Sequence, residues 1–228
     1  MILANVRKCL TRGDAQLAMR LIARGSSDDL DALEATLRDG GIDAILDDPR
    51  LRDALLEQAQ AAHASFSLFT YVVVRHALRE VGETDRAMAD FVASVLLQFG
   101  VRDRARRIRE HDDQVYDTLA SLLADAECSD PTRAFLVRAH LGHYALWLAG
   151  VFPDYIEARH HRRGGPDLDY YDEMGRRGYQ LAAAHRLAAQ HGVQPRAVPR
   201  RDHPAVAQRQ QVAGEVHRLA VGRVQQPD

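Results

Sequence analysis

Two histidines, His140 and His143, stand three residues apart in a segment, 131–150, whose composition favours a helix. Residues at this spacing share one face of a helix, and two imidazoles on one face can bind a common metal ion. His185 and nearby acidic residues could complete the ligand set if a second helix faces the first. One hypothesis is therefore a metal centre at His140, His143 and His185, with iron or haem as the cofactor. The interpretation that we favour needs no cofactor: each histidine packs with its polar tip hydrogen-bonded to a tyrosine or a carboxylate.

Aromatic residues and glycines concentrate on the same segment and on the one that follows it. Glycine inside a helix costs about 1 kcal/mol relative to alanine, so Gly175 and Gly178 indicate that something approaches the backbone closely. Gly142 on the preceding helix is the expected neighbour. A pocket between the two helices would suit an apolar ligand with one polar end, and a packed core is the alternative. The predicted ligand-binding residues are Tyr144, Trp147, Tyr171, Gly175 and Tyr179.

A basic turn separates these two helices. Arg159, Arg162 and Arg163 stand beside two histidines and are followed by the glycine pair 164–165. Arginine side chains around a flexible turn can bind a phosphate or a carboxylate, so the three arginines are a predicted anion site. The alternative is a solvated turn whose arginines pair with the aspartates at 167, 169 and 172.

Helix formers and helix-capping signals dominate the elements that must position these residues. Alanine, leucine, arginine and glutamate are abundant, and strand-forming clusters are nearly absent. Start signals occur at Ser26, Asp48-Pro49 and Asp130-Pro131, and a further helix is expected over 103–126. The predicted fold is all-α, an irregular multi-helix bundle of about eight or nine helices with no sheet. We expect residues 1–193 to form a single helical domain and residues 194–228 to form an extension with one helix.

The composition narrows the class of protein. The 228 residues carry 30 basic and 32 acidic side chains, a net charge of −2, which argues against nucleic-acid binding. Among the basic residues only Lys8 is a lysine, a bias typical of GC-rich bacterial genomes. Two distant cysteines, Cys9 and Cys128, fit a reducing compartment, and no apolar run is long enough to span a membrane. We therefore expect a cytoplasmic protein with no membrane partner.

The sequence contains no complete set of catalytic residues. A nucleophile elbow, a phosphate-binding loop, a dinucleotide fingerprint and a zinc-protease motif are all missing from it. The leading hypothesis is a non-enzymatic helical protein that binds a protein partner or a second copy of itself, with a possible small-molecule pocket between helices 131–150 and 167–191. The alternative is a metal- or haem-dependent oxidase or oxygenase that uses His140, His143 and His185.

Overall fold

The computed structural model describes residues 4–101, 104–109, 112–128, 130–186 and 188. In these residues the chain is helical with no strand, which confirms the all-α prediction. There are eleven α-helices and two short 3₁₀ turns, Ala59–His63 and Arg104–Arg106. The α-helices are α1 (Val6–Cys9), α2 (Arg12–Ala23), α3 (Ser27–Gly40), α4 (Ile42–Leu46), α5 (Pro49–Glu57), α6 (Phe66–Glu80), α7 (Arg86–Phe99), α8 (Leu119–Cys128), α9 (Pro131–Val151), α10 (Pro153–Arg163) and α11 (Leu168–Ala183).

The contacts divide the chain into two compact units, and the division falls within the last turn of α7. The amino-terminal unit contains the described residues 4–97, and the carboxy-terminal unit contains those from 98 to 188. A single domain over 1–193 remains a prediction, and the extension at 194–228 lies outside the described residues. None of the described helices has both the length and the apolar character that a membrane span requires.

Helix α6 forms the core of the amino-terminal unit. Ser65 caps it by accepting a hydrogen bond from the backbone N–H of Leu68, and Leu68, Tyr71 and Val72 are fully buried. Its last turns carry Arg75, which donates to the Asp47 carboxylate over 2.9 Å. Such a pair is favourable where hydrogen bonds satisfy both charged groups, and it holds α6 against the chain between α4 and α5.

Helix α9 forms the core of the carboxy-terminal unit. Its buried residues lie on almost every side of the helix, as expected for a helix that is surrounded by others. Asp130 caps it through the N–H groups of Thr132 and Arg133, and Pro131 occupies its first turn. Helices α8 and α11 pack against it. This helix therefore places the two histidines inside the unit.

The predicted helix over 103–126 is wrong in its first half. Among the described residues of this half, Arg104–Arg106 form a 3₁₀ turn, and the next helix begins at Leu119. Most side chains of the first half are charged, and its buried apolar side chains among the described residues are Ala105 and Ile108, so packing gives little stabilisation to a helix there. Instead the backbone N–H of Tyr116 donates to the carbonyl of Arg106 over 2.8 Å, which fixes the residues before α8 against the end of the 3₁₀ turn.

Candidate functional site

The backbones of α9 and α11 touch at a pair of glycines. A Cβ atom built on Gly178 would lie 2.7 Å from the backbone nitrogen of Gly142 and 2.9 Å from the carbonyl oxygen of Arg138. A Cβ atom on Gly175 would lie 3.2 Å from that of Ala145. The sequence therefore correctly predicted that Gly142 faces the second glycine pair, and the two helices meet there without a gap.

The aromatic residues that were predicted to bind a ligand lie on two sides of this contact. Tyr144 and Trp147 stack with ring centroids 6.1 Å apart, and Phe99 lies edge-on to both of them. Tyr179 instead packs its ring over Gly142 and lies edge-on to His143. Burial raises the pKa of the Tyr144 and Tyr179 hydroxyls. The rings thus pack against one another around the contact between α9 and α11. Ligand binding at these residues remains a prediction.

The histidine pair lies inside the carboxy-terminal unit. His140 and His143 are each 4% exposed, and Nε2 of His140 donates to the carbonyl oxygen of Ala105 over 2.8 Å. Burial lowers the pKa of His140 to about 4 and that of His143 to about 3, so both imidazoles are neutral at pH 7. His140 is therefore buried as the favoured interpretation expects, but its partner is a backbone carbonyl and not the predicted tyrosine or carboxylate.

The third predicted metal ligand, His185, is half-buried and packs its ring 5.4 Å from that of Phe135. Across the described segments of the chain, no group of three or more histidine, cysteine or acidic side chains is arranged to hold a metal ion. The metal site at His140, His143 and His185 stays a hypothesis.

The basic turn is the end of a solvent-exposed helix, α10. Ile156 is its one buried residue, and Gly164 ends the helix in the left-handed conformation at φ +62°. Tyr155, Arg159 and Arg162 follow one another at steps of four and three residues, so they share one side of α10. We call these three residues the Tyr–Arg stripe. Tyr155 is 60% exposed, and both arginines are exposed.

The arginines of α10 do not pair with acidic groups in the part of the chain that the structure describes. None of the ion pairs there involves Arg159, Arg162 or Arg163. Asp167, a predicted partner of the turn, instead caps α11 by accepting from the N–H of Tyr170 over 2.9 Å. Nε of Arg162 donates to the carbonyl of Ala158 over 3.1 Å, which orients the side chain along the helix surface.

Tyr171 lies beside the stripe. It is buried, its ring is edge-on to that of Tyr170, and its pKa is raised by burial against the opposing effect of the Arg159 guanidinium. The structure thus brings Tyr171 close to the predicted anion site. Tyr155 was not among the predicted site residues, although its spacing from Arg159 and Arg162 was visible in the sequence.

No family model, curated protein or solved structure matches the chain. Among the surfaces described above, the Tyr–Arg stripe is exposed and carries two arginines that form no ion pair within the described residues. Tyrosine and arginine are the residue types that contribute most often to the energy of protein–protein binding.

Proposed function

We propose that this chain is a non-enzymatic binding protein whose Tyr–Arg stripe docks an acidic segment of a protein partner. One observation carries the proposal: α10 presents Tyr155, Arg159 and Arg162 on one exposed side, and neither arginine forms an ion pair within the described residues. A planar guanidinium binds a carboxylate through two parallel hydrogen bonds. The Tyr155 ring adds a rigid apolar contact beside these charges.

The charge of the chain favours a separate acidic partner over the chain's own carboxy-terminal residues. Residues 194–228 contain six arginines and three acidic residues. This net positive segment would be repelled by a surface that already carries two guanidinium groups. The buried state of His140 and His143 supports the non-enzymatic part of the proposal, because neutral imidazoles inside a packed core do not reach a substrate from solvent.

The test measures binding of fluorescein-labelled decaglutamate by fluorescence anisotropy at low salt. The protein variants are R159E/R162E and a matched control, R20E/R177E, which changes the charge equally at two exposed arginines outside α10. We expect the stripe variant to bind at least tenfold more weakly than the control variant, since two charge-assisted contacts are lost. With a probe that carries a phenylalanine beside its glutamates, Y155S should also bind more weakly than the wild type.

Three outcomes would overturn the proposal. In the first, both double variants bind decaglutamate equally, so net charge alone controls binding. In the second, a single-stranded oligothymidine binds in preference to decaglutamate and depends on the stripe, which makes the partner a nucleic acid. In the third, light scattering shows a wild-type dimer and a monomeric R159E/R162E, which makes the stripe a contact between two copies of this chain.

A further inference from the structure

A cavity of about 390 Å³ lies between α2 and α3 in the amino-terminal unit. A tight turn at Arg24 and Gly25, both with positive φ, joins these helices. The cavity lies at the opposite end of the hairpin, where the first turns of α2 meet the last turns of α3. The residues that line the cavity are three or four positions apart on each helix, so one face of α2 lies opposite one face of α3.

The floor of the cavity is apolar. Met19 is 7% exposed, and Ala15 and Leu37 are half-buried and complete the floor. The small side chain of Ala15 fills little of the space between the helices. The cavity is shallow and opens widely to solvent. Its volume is within the range of small-molecule sites in proteins, which are mostly apolar with a few polar groups at fixed points.

The rim of the cavity is charged. Arg12 from α2 and Arg38 from α3 are exposed there together with Glu34. None of these three side chains takes part in an ion pair with another described residue. The rim therefore has a net charge of about +1 by formal counting, and its guanidinium groups are free to bind a carboxylate in bidentate geometry.

We infer that this cavity binds a small monocarboxylate with an unbranched apolar tail. The tail lies on Met19, Ala15 and Leu37, and the carboxylate lies between Arg12 and Arg38. Glu34 at the same rim disfavours ligands with more than one negative charge, because a second carboxylate would approach a like charge. The site belongs to the amino-terminal unit and does not depend on the function proposed for α10.

The experiment compares three ligands that share one tail: octanoate, 1-octanol and octylammonium. Binding is measured by calorimetry below the concentration at which each ligand aggregates. We expect octanoate to bind at least tenfold more tightly than octanol, because the charged contacts are absent with the alcohol. Amide chemical shifts recorded with octanoate should change mainly in α2 and α3.

Three variants locate the site. R12Q/R38Q should weaken octanoate binding about tenfold and leave octanol binding unchanged, whereas the control R20Q/R177Q should leave both unchanged. A15F should block all three ligands, since its ring would occupy the cavity. The two arginine variants alter exposed side chains only, so they test the proposal even if A15F does not fold.

The proposal is overturned if octanoate does not bind, or if octanol or octylammonium binds as tightly as octanoate. It is equally overturned if R12Q/R38Q and R20Q/R177Q bind octanoate alike. Binding of octanoate that persists in a folded A15F variant places the ligand elsewhere and has the same consequence.

Discussion

Two fully buried tyrosines of this protein differ in what their hydroxyl groups contact. Tyr71 in α6 is 0% exposed, and its hydroxyl has no hydrogen-bond partner among the described residues. Tyr116 is 1% exposed, but its hydroxyl donates to Asp125 over 2.5 Å and accepts from Arg133 over 2.9 Å. A buried polar group without a partner costs free energy, whereas a satisfied one contributes to stability.

The substitution Tyr→Phe should therefore have opposite effects at the two sites. We expect Y71F to leave the free energy of unfolding unchanged or to raise it by about 1 kcal/mol, because only an unpaired hydroxyl is removed. Y116F should lower it by about 1 to 2 kcal/mol, because it removes two hydrogen bonds to charged groups. Chemical denaturation of the two variants beside the wild type measures both changes. A loss at Tyr71 as large as that at Tyr116 would contradict this account.

At the scale of elements, the contact between α9 and α11 depends on glycine. The atoms that a Cβ on Gly178 would meet belong to the backbone of α9, namely the Gly142 nitrogen at 2.7 Å and the Arg138 carbonyl oxygen at 2.9 Å. Backbone atoms inside a helix cannot move aside as a flexible side chain can. Any larger residue must therefore push the two helices apart, and the packing around Tyr179 and His143 would change with them.

G178A should accordingly destabilise the protein, although alanine is the better helix former. Overpacking costs about 1 to 3 kcal/mol, and the gain in helix propensity offsets at most about 1 kcal/mol of it. The matched control is G13A in α2, where the nearest atom to a new Cβ is the Thr11 hydroxyl oxygen at 3.5 Å. We expect G13A to be neutral or slightly stabilising in the same thermal denaturation experiment. Equal behaviour of the two variants would show that α9 and α11 do not meet at Gly178.

Local signals explain which elements were predictable from the sequence. The starts of α3, α5 and α9 were predicted correctly because Ser26, Asp48 and Asp130 cap them through hydrogen bonds to N–H groups two or three residues away. The non-helical arrangement of the described residues before α8 was missed because it depends on the bond between Tyr116 and the carbonyl of Arg106. A bond between residues that far apart has no signature in helix propensity.

The same distinction applies to the candidate sites. The facing glycines of α9 and α11 were predictable, since glycine at helical spacing has a specific energetic meaning. The exposure of Tyr155 and the cavity at Met19 were not, because both depend on which face of a helix its neighbours cover. Spacing places residues on a common face, but tertiary packing decides whether that face is buried.

At the scale of the whole molecule, the net charge does not indicate which local surfaces can bind a charged partner. The net charge of −2 suggested no preference for an anionic partner. The structure nevertheless has two places where exposed arginines form no ion pair within the described residues, one on α10 and one at the rim between α2 and α3. Specific binding by charge depends on such local arrangement, since salt screens interactions beyond about 10 Å.

Stability against pH is also a property of the whole molecule, because histidines are buried in both units. Burial lowers the pKa of His76 in the amino-terminal unit, and it lowers those of His140 and His143 to about 4 and about 3. In the unfolded chain these histidines gain a proton near pH 6.5, whereas in the folded chain they gain it only at lower pH. The contribution that the buried neutral histidines make to the free energy of unfolding is therefore complete above pH 6.5 and is lost as the pH falls toward 4.

The free energy of unfolding should thus fall between pH 6 and pH 5 by roughly 1.4 kcal/mol for each of His140 and His143. The double variant H140Q/H143Q keeps polar side chains but removes two of these titrating groups. Its free energy of unfolding should depend on pH less steeply than that of the wild type, by roughly 2 to 3 kcal/mol per pH unit. H161Q, which changes an exposed histidine of α10, is the control for the replacement of a histidine by glutamine. Urea denaturation at a series of pH values measures all three slopes, and equal slopes for wild type and H140Q/H143Q would mean that the two imidazoles are accessible to protons in the folded state.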